Sequence, residues 1–131
     1  MERKVKFRGK NIHTGEWLYG DYHREGKTHY ITKPGDFMRE YAPIEFIVDE
    51  KTLGQFTGML DKNGKEIYEG DIILQQGYSG KKLMLVRFEH GAFITGEHSG
   101  SSTAIRPMLI QKRCEVLGNI YDNPGLISDK K

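Results

Sequence analysis

Apolar and polar residues alternate along this chain in short runs, and glycine, proline and asparagine separate the runs. Val5 and Phe7 alternate with Lys4, Lys6 and Arg8, which predicts a first strand over 3–8 with the apolar pair on one face and the cations on the other. Trp17, Tyr19 and Asp21 share a face opposite Leu18, so 16–23 is expected to complete a hairpin with 4–8 through GKNIHTG. Further strands are predicted at His29 to Thr32 and at Ile44 to Val48, with Pro34-Gly35 and Pro43 breaking the chain between them. Asp49 before Glu50-Lys51-Thr52-Leu53 reads as the N-cap of one helical turn, its carboxylate accepting an otherwise unpaired backbone N–H.

The stretch LGQFTGMLDKNGKEIYEGD, Leu53 to Asp71, carries the strongest local signal. Two strand-like runs flank Asn63-Gly64, a pair suited to a two-residue turn with positive φ at both positions. Glu69-Gly70-Asp71 follows as a bend that Asp71 would fix by accepting backbone N–H groups, and Ile72-Ile73-Leu74 as a buried strand. Gly77 to Lys82 reads as a loop. Leu83, Leu85 and Arg87 alternate with Met84, Val86 and Phe88, and Glu89-His90-Gly91 turns the chain into Ala92 to Thr95 as a further hairpin. GEHSGSST, Gly96 to Thr103, is linker-like and expected to be mobile, because small polar residues cannot repay the entropy of ordering. Last strands are predicted at Arg106 to Ile110 and Glu115 to Tyr121, with Asp122-Asn123-Pro124-Gly125 closing the structured region.

No amphipathic pattern persists for three helical turns, so the expectation is a mainly β fold with at most short helical turns. Antiparallel strands and hairpins would form a small SH3-like barrel at about 55–121, with a β extension before it. A single domain over 1–125 is expected, its parts 1–53 and 54–125, with 126–131 as a frayed tail.

Composition changes the picture in two ways. Ten basic and nine acidic residues fall in each of the segments 1–54 and 55–131, so neither half is built as a polyanion-binding block. Cys114 is the sole cysteine, which excludes an intramolecular disulfide and a multi-cysteine zinc cage within one chain and fits a reducing compartment. No apolar run approaches the roughly 20 residues that span a bilayer, and MERKVKFRGK lacks an apolar segment behind its charges. The expected location is the cytoplasm, with no membrane partner.

Candidate chemistry is thin. Asp61 to Glu66 imitates a calcium loop, but Lys65 stands where an oxygen ligand is needed and Glu66 where glycine is needed. Gly80-Lys81 lacks both the glycine five residues earlier and the hydroxyl after the lysine that a phosphate-cradling loop requires; Gln75 and Lys82 occupy those places. His13, His23, His29, His90 and His98 show neither strand-face nor helix-face ligand spacing and are expected in exposed turns. Cys114 reads as a buried hydrophobe whose neighbour Glu115 raises its pKa. Glu66, Glu69 and Asp71 could be imagined as an acid–base cluster, which the bend at Gly70 argues against. No catalytic residue, metal site or cofactor is predicted. A binding alternative is single-stranded nucleic acid held by Lys4, Lys6 and Arg8, with Tyr19, Tyr68, Tyr78 and Tyr121, if exposed, as stacking platforms. The competing reading is a solvated outer face and core aromatics.

The ordered set KFRGK, TGEWLYGD, VDEKTLGQFTGMLDKNGKEIYEGDII, VRFEHGAF and CEVLGNIYDNPGLI resembles the YopX family, small proteins carried by prophages and bacteriophages of Gram-positive bacteria. The resemblance covers nearly the whole chain, with departures at 23–43 and 96–113. It implies a mainly β, cytoplasmic, phage-encoded protein, and it carries over no catalytic residue. The expected function is therefore that of a non-enzymatic accessory protein working through contacts with itself, as a homo-oligomer, or with a host or phage protein. Nucleic-acid binding is the alternative, and a metal- or thiol-dependent hydrolase the third and least supported reading.

Overall fold

A computed structural model describes residues 4–33, 44–77, 80–96, 102–104 and 113–127. The chain forms two compact units, 1–56 and 57–131, and the described elements are antiparallel strands and single turns of 3-10 helix.

The first unit holds β1 (Phe7–Lys10), β2 (Trp17–Glu25), β3 (Thr28–Thr32), β4 (Ile47–Val48) and the start of β5 (Gly54–Leu60), ordered β4-β3-β2-β1-β5. β2 serves two neighbours: Trp17 to Gly20 pair with β1, and Asp21 to Glu25 with β3. Glycine is required at this change of partner, because a Cβ on Gly20 would stand 2.0 Å from the Thr32 carbonyl oxygen. The turn after β1 is organised by the buried Asn11. Its Oδ1 accepts the amides of His13 and Thr14, both at 2.9 Å, and its Nδ2 donates to the carbonyls of Glu45 and Ile47 at 2.9 and 3.0 Å. Asp49 caps the 3-10 turn Glu50–Thr52, accepting the Lys51 amide at 3.0 Å, as its sequence predicts.

The second unit contains the end of β5 with β6 (Glu66–Tyr68), and a five-stranded sheet of β7 (Asp71–Gly77), β8 (Gly80–Glu89), β9 (Ala92–Gly96), β10 (Ser102–Ala104) and β11 (Cys114–Asn119), ordered β10-β9-β8-β7-β11. Ile73 stands opposite Met84 and Val116, and its face meets Ile67, Val86 and Cys114; Ile72 stands opposite Leu85 on the other face, with Ile127 and Ile120 against them. Burial on both faces explains the unbroken apolar run Ile72-Ile73-Leu74 that follows Asp71 in β7.

Several expectations are corrected. The first strand begins at Phe7, and Val5 is 51% exposed. Ile44–Phe46 is a 3-10 turn, with only Ile47–Val48 extended. At Asn63-Gly64 only Gly64 takes positive φ (83°), because the Asp61 carboxylate accepts the Asn63 and Lys65 amides and draws 61–64 into a longer turn. The turn with two positive φ angles lies at His90-Gly91 instead, 53° and 80°. In the predicted loop 77–82, Gly77 and residues 80–82 are strand, since β7 and β8 pair out to Gly77 and Gly80; Tyr78 and Ser79 lie outside the described residues. Ser102 and Thr103, expected in the linker 96–103, belong to the strand Ser102–Ala104, which pairs with β9. Ile127 is in the core rather than a frayed tail. The strand predicted at 106–110, residues 97–101 and residues 128–131 lie outside the described residues.

The five-stranded sheet is open, which corrects the SH3-like barrel. Closure needs β10 to pair with β11, whose outer edge is already met by the turn at 61–62: the Val116 amide donates to Asp61 Oδ2 at 2.9 Å, and the Lys62 amide to the Cys114 carbonyl at 3.0 Å.

Candidate functional site

The buried side chains of Asp61, Asp71 and Asn119 are committed to backbone groups. Asp61, 4% exposed, accepts three amides, from Asn63 (2.8 Å), Lys65 (2.9 Å) and Val116 (2.9 Å). Burial alone raises its pKa, but those amides and the Lys65 charge prevail and hold it below the usual carboxylate value. Asp71, 2% exposed, accepts the Tyr68 amide at 2.7 Å, the bend-fixing role its sequence predicts. Asn119 Oδ1 accepts the amides of Tyr121 and Asp122 at 3.0 and 2.8 Å and organises the turn after β11. Carboxylates held this way are poor proton donors or acceptors for a substrate.

Cys114 is fully buried, and desolvation, with the charges of Asp61, Asp71 and Glu115 adding to it, pushes its thiol up to about 12. A thiol so protonated is a weak nucleophile. Not all histidines are exposed as expected: His29 is buried in β3, its Nδ1 hydrogen-bonded to the Tyr22 hydroxyl at 2.7 Å and its Nε2 3.4 Å from Glu50. β3 needs an inward-facing side chain there, and the Tyr22 partner makes imidazole acceptable. Among the described residues no three of His, Cys, Asp and Glu are placed to hold a metal.

The predicted nucleic-acid residues meet different fates. Arg8 pairs with Tyr19, and Lys10 with Trp17, across β1 and β2, so these four share one sheet face. Each cation there lies over a ring. The Arg8 guanidinium is 4.5 Å and the Lys10 ammonium 5.6 Å from the Trp17 centroid, and the Lys6 ammonium is 5.9 Å from that of Phe56. Lys4 and Tyr19 are exposed, Tyr19 at 48%, whereas Arg8 is 5% exposed. Arg8 is thus drawn into the sheet instead of standing on a solvated face. Tyr68 is 2% exposed with its hydroxyl donating to Glu66 at 2.9 Å, so it offers no stacking platform. Its position beside the buried Ile67 explains this, β6 being covered on both faces. Tyr121 is half-buried, and Tyr78 lies outside the described residues. Lys10 and Trp17 were missed, although Lys10 extends the period-two row of Lys4, Lys6 and Arg8.

These features define a mainly β protein of antiparallel sheets whose buried polar groups hold turns and strand register. The chain belongs to the YopX family, whose model, described as YopX protein, matches residues 6–128. The crystal structure of protein EF1440 from Enterococcus faecalis is similar in fold, at 22% identity and a TM-score of 0.59, over 97% of this chain and 100% of that one. A search of curated proteins gives no match. Among the described residues no helix is long and apolar enough to cross a membrane.

Proposed function

We propose that this chain is a non-enzymatic, phage- or prophage-encoded accessory protein that acts in the host cytoplasm through protein–protein contacts. The observation that carries this reading is the commitment of Asn11, Asp61, Asp71 and Asn119 to backbone groups, with Cys114 held as a buried thiol. A contact surface is supported by Ile12 and Ile44, 53% and 64% exposed. Asn11 draws their segments together, because its Nδ2 reaches the Ile44 carbonyl at 3.3 Å and the Ile12 amide donates to Ile47 at 3.1 Å. Exposed apolar groups held together in this way mark interaction surfaces. Light scattering and cross-linked pull-downs from host and phage lysates test the reading. Assembly or specific capture that Ile12→Glu with Ile44→Glu abolishes supports it. A strictly monomeric particle that captures nothing, or stoichiometric bound zinc or manganese in the purified protein, overturns it.

A second reading, a single-stranded nucleic-acid module, is favoured by one observation: exposed Tyr19 shares its face with Lys10 and Trp17. On it, Lys6, Lys10, Trp17 and Tyr19 make the contact, and Tyr68 drops out. Log affinity for oligothymidine should fall linearly with log salt, and Lys6→Glu with Lys10→Glu should weaken it. Absence of binding at low salt ends this reading.

A further inference from the structure

The second unit has a concavity of about 130 Å³ lined by Lys62, Leu74, Gln76, Lys81, Arg113 and Glu115. Strand register explains the convergence. Gln76 pairs with Lys81 on β8, and Leu74 with Glu115 on β11, so these four share one face of the sheet. Two residues earlier on β7 the same face presents Ile72, which Ile127 and Ile120 cover together with Leu85 and Leu83. From Leu74 onward the face opens into the concavity. Lys62 is brought to its rim by the hydrogen bond from its amide to the Cys114 carbonyl, and Arg113 immediately precedes β11.

Among the described residues the lining holds three cations against one carboxylate. Glu115 lies 3.9 Å from Lys62, a long contact between side chains 48% and 40% exposed. Lys81 and Arg113 have no carboxylate partner among the described residues. Cations converging on one hollow repel unless an anion joins them, and the lining leaves two positive charges uncompensated. A guanidinium offers paired N–H donors that match a tetrahedral oxyanion, lysine supplies compact charge, and the Gln76 carboxamide supplies a neutral donor. The volume is close to the roughly 150 Å³ that admits a benzene-sized molecule, which suits a phosphate group with a few waters. Among the described residues Leu74 is the sole apolar contributor and no aromatic ring lines the hollow, a lining better suited to a phosphate than to a nucleobase.

We propose that this concavity is a phosphate-binding site, in which Arg113, Lys81 and Gln76 hold the oxyanion and Lys62 turns to it from Glu115. The site uses residues of the second unit alone and does not depend on the protein-contact reading above; the Ile12→Glu, Ile44→Glu variant should bind phosphate as the wild type does. The test is an NMR titration of the full chain with inorganic phosphate at constant ionic strength, chloride being the exchanged anion. Saturable shifts are expected at the Gln76 side-chain amide and around 81 and 113–115. Lys81→Gln with Arg113→Gln should weaken affinity at least about tenfold, since each removes a charged hydrogen bond. Glu115→Gln should tighten it, an outcome that a merely structural role for these residues does not produce. A dithymidine phosphodiester used in parallel separates two sources of the group: tighter diester binding assigns a nucleic-acid backbone, tighter inorganic phosphate a free phosphate or monoester. Shifts that chloride reproduces, or a folded double variant that binds as the wild type does, would overturn the proposal.

Discussion

Replacing Asp61 by alanine removes the buried side chain that ties the turn before β6 to the outer edge of β11. Three amides lose their acceptor. Those of Asn63 and Lys65 belong to a turn whose residues are exposed, so water can replace much of what they lose. The Val116 amide cannot be rescued so readily: its hydrogen bond to Asp61 is buried, and an orphaned donor there costs about 1–3 kcal/mol. With the weakened turn, the total loss should be about 3–5 kcal/mol, a large share of the 5–15 kcal/mol typical of a folded domain. Asp61→Asn should fall between, since its Oδ1 can still serve the turn while its NH₂ opposes the Val116 N–H. Urea denaturation followed by far-UV circular dichroism measures the loss, and hydrogen exchange locates it at Val116. The folded-state pKa of Asp61 lies below its ordinary 3.8, so its contribution is present above that value and disappears as pH falls through the depressed one. Asp61→Asn should lack this acid-side increment. An alanine variant within about 1 kcal/mol of wild type, or unchanged protection at Val116, would refute the reasoning.

Three further outcomes are expected. Gly20→Ala should destabilise the first unit by about 2 kcal/mol or more in thermal melts, because its Cβ meets the Thr32 carbonyl oxygen, a backbone atom that cannot swing aside. Cys114 should resist thiol reagents at pH 8 until denaturant is added. Its raised pKa means that the stabilising neutral form is fully present below 9.0 and its contribution is lost as pH climbs towards about 12, a decline that Cys114→Ala should flatten. His90→Asn should raise stability by about 0.5 kcal/mol, since asparagine suits the left-handed position of a two-residue hairpin turn better than histidine does; an unchanged urea midpoint would count against that turn geometry.

Local periodicity and turn chemistry were enough to determine that this chain is mainly β, that β1 and β2 form a hairpin, that Asp49 caps a helical turn and that Asp71 fixes a bend. Each depends on residues a few positions apart, where side-chain size and backbone preference act directly. Family membership was legible too, because ordered motifs run nearly the length of the chain. Tertiary structure decided what pairs across long separations. Asp61 looked like a local turn residue, but its second oxygen holds Val116, and that contact occupies the edge a closed barrel would need. Arg8 belongs to a row of cations that reads as exposed, and the sequence left the exposure of Tyr68 open, yet the assembled sheets bury both. Lys62, Lys81 and Arg113 stand in three separate runs of sequence and meet only through the register of β7, β8 and β11. A strand's own residues set which side chains share a face, while the partner beside it decides what that face meets; the second is a property of the assembled sheet.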